Sequence, residues 1–155
     1  NLNHNGRVII RMCVNPKKII QRVEFGTSNL ENRVKAINKL KKAGYKIGIL
    51  IAPIIFVDNW KEEYENLLIY LKENLDEEVK NEAFFELIFM TYSYVHKMIN
   101  NEAFPNAIQL FDEEKMTGRG KGKYMYKEKL RKEGEEFFRN KMQKYFPNNK
   151  IEYIV

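Results

Sequence analysis

The chain contains one cysteine and two histidines in 155 residues. A single thiol excludes an internal disulfide, and so few soft ligands leave no spacing for a structural zinc site. No apolar run is long enough to span a bilayer, and the first residues show no signal-peptide pattern. Together these absences lead to the expectation of a cytoplasmic protein with no membrane partner. A Walker lysine motif, a nucleophile elbow and an H-E-x-x-H helix are all missing, which removes three common local signatures of hydrolytic chemistry. There are no internal repeats and no low-complexity linkers either.

What is present is the composition of a globular domain, 44% hydrophobic and 31% charged, at a length able to bury a core. The net charge is +6. Much of the lysine lies beside glutamate, as in Lys61-Glu62-Glu63, and reads as a solvated helix face. Only Lys115 to Lys132 is basic beyond that background, which makes nucleic acid the partner class to weigh.

The organising stretch is Gly44 to Pro53. A helix ends at Gly44, an apolar run follows, and Pro53 is expected to stop it. A run this apolar reads as a strand covered on both faces, as in a parallel sheet. Upstream, Arg7 to Val14 is a second strand ending at Asn15-Pro16, and Pro16 to Gln21 makes one helical turn. Ser28 with Glu31 fits a capping box ahead of a helix carrying Leu30, Val34, Ile37 and Leu40. Strand, helix and strand form one βαβ unit.

Downstream, Asp58 is expected to cap a helix that buries Trp60, Tyr64, Leu67, Leu68 and Leu71. Phe84 to Tyr92 reads as a third strand, with a short helix sharing the pattern, and Tyr94 to Asn101 as a helix. A glycine-punctuated segment precedes a charged helix from Lys127 to Tyr145, and Ile151 to Val155 is a last strand. The strands are too few to close a barrel, so the chain reads as the later portion of a larger α/β protein. Residues 1–110 are expected to form the sheet-bearing part, and residues 111–155 a hairpin and helix extension.

Three constellations could carry chemistry. Cys13 and Asn15 end the first strand level with Ala52 and Pro53 on the second, where ligands of parallel sheets bind; the plain alternative is a buried cysteine and a turn asparagine. Glu24, Gly26, Thr27 and Arg33 combine a helix N-terminus with a possible Glu24–Arg33 pair; ordinary capping and a surface ion pair would look the same. In Gly118-Arg119-Gly120-Lys121-Gly122-Lys123-Tyr124, the glycines permit a hairpin and the cations neutralise phosphates. Tyr124 or Tyr126 could stack on a base, and a solvated loop is the alternative.

Taken in order, these residues resemble the C-terminal half of the spore photoproduct lyase family. The resemblance runs through Arg11-Met12-Cys13-Val14-Asn15, Glu24-Phe25-Gly26-Thr27-Ser28 with Arg33, and Ala43-Gly44-Tyr45-Lys46 to Ile54. It continues through Phe85-Glu86-Leu87-Ile88, Gly118-Arg119 to Tyr126, and Phe146-Pro147. It implies the C-terminal part of a partial (β/α) TIM-type radical S-adenosylmethionine barrel, with a C-terminal β-hairpin and helix. The implied chemistry splits the thymine dimer 5-thyminyl-5,6-dihydrothymine in DNA through a 5′-deoxyadenosyl radical.

The implied cofactors of the full-length enzyme are S-adenosylmethionine and a 4Fe-4S cluster held by C-x-x-x-C-x-x-C, a motif absent here. Neither cofactor is expected to stay bound to this chain, which is expected to be inactive alone. The implied contacts to S-adenosylmethionine are Cys13, Asn15, Thr27 and Ala52. The implied DNA contacts are Arg119, Lys121, Lys123, Tyr124 and Tyr126. The implied partners are DNA and the missing N-terminal half, and exposed strand edges could pair two copies into a homodimer.

The chain departs from the family at two places. Cys13 stands where the family usually has serine, and the hairpin lacks the tyrosine that follows the arginine in a pattern close to G-R-Y-G-x-G-K-Y. Two alternatives therefore stand beside the lyase: a non-catalytic nucleic-acid-binding α/β module, and a radical S-adenosylmethionine relative acting on another substrate.

Overall fold

The computed structural model describes residues 3–155. Apolar, β-branched runs supply four parallel strands: β1 (Ile9–Val14), β2 (Lys46–Ile54), β3 (Phe84–Phe89) and β7 (Ile151–Ile154), paired in that order. Between them run α1 (Lys17–Val23), α2 (Leu30–Lys42), α3 (Trp60–Asn74), α4 (Glu77–Glu82), α5 (Tyr94–Ala103) and α6 (Glu128–Tyr145). A second, antiparallel sheet joins β4 (Thr91–Ser93), β6 (Lys123–Tyr126) and β5 (Met116–Gly120) in the order β4-β6-β5.

Side-chain alternation divides the parallel sheet into two unlike faces. Val14, Ile47, Ile49, Ile51, Phe85 and Leu87 point into a core built with Ile37, Leu67, Leu68, Leu71 and Phe138 from the helices. The opposite face carries Arg11, Cys13, Gly48, Leu50, Ala52, Phe84, Glu86 and Ile88, several of them only half-buried. The expectation that β2 is covered on both faces therefore holds for one face alone. Burial of Trp60, Tyr64, Leu67, Leu68 and Leu71 follows the helical spacing.

Several boundaries differ from the sequence reading, each for a local reason. The cap of α2 is Asn29, whose side chain accepts the Asn32 N–H at 2.9 Å, because the Ser28 carbonyl is committed to Arg33. Asp58 does not cap α3: Asn59 holds the N-cap position and Asp58 is exposed beside Lys115. Pro53 lies inside β2, following a cis Ala52-Pro53 bond, where the pairing register to β3 shifts between Ile51 and Ile54. A residue without an N–H is tolerated at such an irregularity. The run from Phe84 splits at Met90 into β3 and β4, which belong to different sheets. The short helix α4 has no counterpart in the sequence reading.

The two expected segments share both sheets. Strand β7, from residues 111–155, is the fourth strand of the parallel sheet, and β4, from residues 1–110, edges the small one. Helix α5 stands apart: it buries no residue, exposes Tyr94, Val95, Met98 and Ile99, and donates its first N–H, from Tyr94, to the Gly122 carbonyl at 2.8 Å.

Gly134 looks misplaced in the middle of α6, since alanine is the better helix former by about 1 kcal/mol. Packing explains it: a Cβ there would lie 2.6 Å from Phe56 Cζ and 2.8 Å from Phe89 Cε1. Gly134→Ala is expected to lower unfolding stability by about 1–3 kcal/mol in urea titration, and a gain in stability would show that α6 can ride away from the sheet.

Candidate functional site

At the C-terminal ends of β1 and β2 a buried polar network replaces the apolar core. Asn15 is fully buried; its amide donates to Glu24 Oε1 at 2.7 Å and to the Ala52 carbonyl at 3.3 Å. Its own oxygen accepts the Tyr64 hydroxyl at 3.3 Å, while that hydroxyl accepts the Ile55 N–H at 2.7 Å. Burial pushes the Tyr64 phenol well above its ordinary range.

Arg33 is the hub of this network. Its guanidinium donates to the Ser28 carbonyl (2.8 Å), the Cys13 carbonyl (3.3 Å), Glu24 Oε2 (2.6 Å) and Thr27 Oγ1 (2.7 Å). The expected Glu24–Arg33 pair is thus present, and it is inside the protein rather than on the surface: the side chains are 15% and 8% exposed. Thr27 lies two residues before the α2 cap and donates its hydroxyl to the Glu24 carbonyl. Asn15 and the Ala52 carbonyl are therefore partners of each other, and Thr27 joins them only through Glu24 and Arg33.

Cys13 is not the buried cysteine of the plain alternative. It is exposed on the helix-free face of the sheet, at the register position beside Leu50. Partial burial raises the thiol's pKa, Glu24 adds to the rise, and Arg33 opposes it. On the same face Arg11 Nε donates to both oxygens of the buried Glu86, at 3.0 and 3.2 Å, and the guanidinium lies over the Phe84 ring. The sequence reading missed this pair, although a lone base in β1 and a lone acid in β3 interrupt two otherwise apolar runs.

The basic segment does form a hairpin. Strands β5 and β6 meet at Lys121-Gly122, where both residues have positive φ, +50° and +68°, the backbone of a two-residue type I′ turn. Gly118 pairs with Tyr124 and Gly120 with Lys123, so Arg119 is an extra residue at a bulge. Arg119, Lys121 and Lys123 are exposed, and none has a carboxylate within 4.0 Å among the described residues.

The two tyrosines differ. Tyr124 is half-buried with its ring edge-on to Phe111, centroids 4.7 Å apart. Tyr126 is 2% exposed, its hydroxyl accepts the Phe56 N–H, and burial pushes its pKa up to about 12. Its ring is part of the core and offers no open face.

The sequence pattern that defines the spore photoproduct lyases matches residues 1–155. This chain belongs to the spore photoproduct lyase family. It is 35% identical over 98% of its length to the spore photoproduct lyase of Bacillus subtilis (strain 168), and 34% identical to that of Geobacillus sp. (strain Y412MC61). It spans about half, 46%, of the length of each of these curated relatives. Among solved structures it resembles spore photoproduct lyase complexed with dinucleoside spore photoproduct, with a TM-score of 0.90 and 30% identity over 98% of this chain and 46% of the other. It resembles equally a double mutant of spore photoproduct lyase with bound AdoMet and the same dinucleoside, with a TM-score of 0.90 and the same identity and coverage.

Two outcomes test the network. Asn15→Ala removes two donated bonds and the acceptor for Tyr64, and is expected to cost at least about 2 kcal/mol in urea unfolding; a neutral result would mean that water replaces the amide. Because the thiolate is the nucleophile, iodoacetamide should alkylate Cys13 slowly at pH 7 despite its exposure. The rate should climb to a midpoint above the ordinary thiol range, and a midpoint near neutrality would reverse the assigned electrostatics.

Proposed function

We propose that this chain is the C-terminal part of a lyase that returns 5-thyminyl-5,6-dihydrothymine in DNA to two thymines. The observation that carries the reading is the hairpin: three exposed cations without carboxylate partners sit on a bulged, glycine-tipped ribbon. Such a ribbon matches phosphate in charge and reach. Arg119, Lys121 and Lys123 are its DNA contacts in this reading, and Tyr124 is the aromatic group available for stacking.

The reading also makes the parallel sheet an arc of a (β/α) barrel. In support, its strands are ordered β1-β2-β3-β7 and one face is free of helices. The free β1 edge and that face are where the remaining half of a lyase would pack, in a cytoplasmic setting; a second copy paired along β1 is the other cover.

The cofactors fit unequally. A cluster of the family's type takes several thiolates, whereas this chain has one cysteine. Among the described residues no group of three His, Cys, Asp or Glu side chains could hold a metal ion. The cluster does not fit here, and the redox chemistry belongs to the part of a lyase that holds it. For S-adenosylmethionine this chain offers one wall, Cys13 and Ala52 beside Leu50, with Asn15 and Thr27 fixing that wall from behind.

Alone, the chain should bind DNA without repairing it. Replacing Arg119, Lys121 and Lys123 together by Ala is expected to lower the slope of log affinity against log salt by up to about three units, near one per lost phosphate contact. Its circular dichroism should be unchanged. Unaltered binding across a salt series would remove DNA from the reading. The residue after Arg119 is Gly120 rather than tyrosine, which favours a relative acting on another lesion as the second reading. Preference for the thymine dimer over undamaged duplex separates the two.

A further inference from the structure

Between the small sheet and the first turn of α6 lies a cavity of about 530 Å³. It sits where β3 and β7 end, and its lining includes Arg119, Arg131, Thr91, Met90, Met125 and Val155. The register explains the grouping. Thr91 is opposite Met125 and Met125 is opposite Thr117, so these side chains share one face of the small sheet. The bulge leaves Arg119 without a ladder partner and bends the strand beneath it. Arg131 arrives from a different element, in the first turn of α6, and is half-buried.

Neither guanidinium has a carboxylate within 4.0 Å among the described residues. Three of the four glutamates of α6 are engaged elsewhere, Glu128 with Lys132, Glu133 with Lys61 and Glu135 with Arg139, and the fourth, Glu136, does not line the cavity. Two like charges lining one half-enclosed cavity repel, and an anion between them reverses the sign of the interaction. Guanidinium forks match phosphate oxygens in two-point geometry, which ammonium groups do not. Apart from Thr91 the rest of the wall is apolar, with the thioethers of Met90 and Met125, the aliphatic Ile88 and Val155 and the rings of Phe89 and Tyr126, a surface suited to a flat apolar ligand.

We propose that this cavity is a subsite for one nucleotide, with its phosphate on Arg119 and Arg131 and its nucleoside against Met90, Met125 and Val155. The proposal rests on the DNA reading above, in which the occupant is one nucleotide of the bound strand. It adds Arg131 as a contact and places the strand beneath the hairpin, at the ends of β3 and β7. Lys121 and Lys123 at the hairpin tip do not line the cavity and act through their field.

Anisotropy of a labelled single-stranded oligothymidylate, followed over a salt series with the full chain, is the first test. Arg131→Gln is expected to weaken binding several-fold and to lower the salt slope by about 0.7. Lys129→Gln removes the same charge from the same helical turn but does not line the cavity, and its effect should be clearly smaller. Arg131→Lys should keep the slope and lose affinity. The double variant Arg119→Gln with Arg131→Gln should lose less than the sum of the two losses, because both groups hold one phosphate. Equal effects of Arg131→Gln and Lys129→Gln, or strict additivity in the double variant, would overturn the shared subsite.

The second test uses thymidine 5′-monophosphate and the side-chain Nε–H resonance of Arg131. A shift with the monophosphate, and none with thymidine, is expected. If the resonance shifts but no oligonucleotide binds, the cavity stands as a nucleotide site and the DNA reading falls. If the oligonucleotide binds while Arg131→Gln and the resonance show nothing, the subsite falls and the DNA reading stands.

Discussion

The Arg33 guanidinium holds the C-terminal end of β1 to everything around it. It reaches the Cys13 carbonyl on the strand, the Ser28 carbonyl at the entry to α2, and the side chains of Glu24 and Thr27 in the loop between. Through Glu24 it also fixes Asn15, and through Asn15 the Ala52 carbonyl of β2 and the Tyr64 hydroxyl of α3. An ion pair this deep is not a cheap source of stability, because desolvation offsets most of the attraction. Its value is directional. A buried charge held by four hydrogen bonds permits few alternative arrangements, so the ends of two strands and the starts of two helices adopt one relative position. Removing either partner would strand the other, at a cost of about 3–5 kcal/mol.

The hairpin follows the opposite rule. Its cations have no ion-pair partner among the described residues, and three of the four acids of α6 are drawn away along that helix by Lys61, Lys132 and Arg139. Net charge alone would not reveal this, since Lys127 to Arg139 contains nearly as many acids as bases. Pairing decides where the field is left uncompensated, and it is left at the hairpin and the first turn of α6.

Much of the parallel sheet was legible because β1, β2 and β3 are mostly apolar runs, broken by a single charge in β1 and in β3, and α2 and α3 carry clean helical stripes. The Glu24–Arg33 pair and the hairpin were legible too, from charge spacing and from glycines. Other features depend on contacts far apart in sequence. Asn29 rather than Ser28 caps α2 because Arg33 claims the Ser28 carbonyl. The break at Met90 appears only once β4 has β6 to pair with. Tyr124 and Tyr126 look alike on a ribbon, yet Phe56 takes one into the core. The role of Asn15 was the hardest to read: a polar residue at a strand end suggests a ligand, and its bonds to Glu24, Ala52 and Tyr64 emerge only from the fold. Arg131 was visible only as one more charge on a charged helix.

The attachment of α5 bears on motion. This helix buries no side chain, yet its first N–H holds the Gly122 carbonyl at the hairpin turn. Segments with few buried contacts open at free energies far below that of global unfolding. The tip of the hairpin is therefore moored to the least anchored helix of the molecule, while its base is clamped by Tyr126 against Phe56. Amide exchange should be graded along a ribbon of only eleven residues, Met116 to Tyr126, fast at the turn and slow at the core, so that the ribbon behaves as a finger with a stiff knuckle and a loose tip.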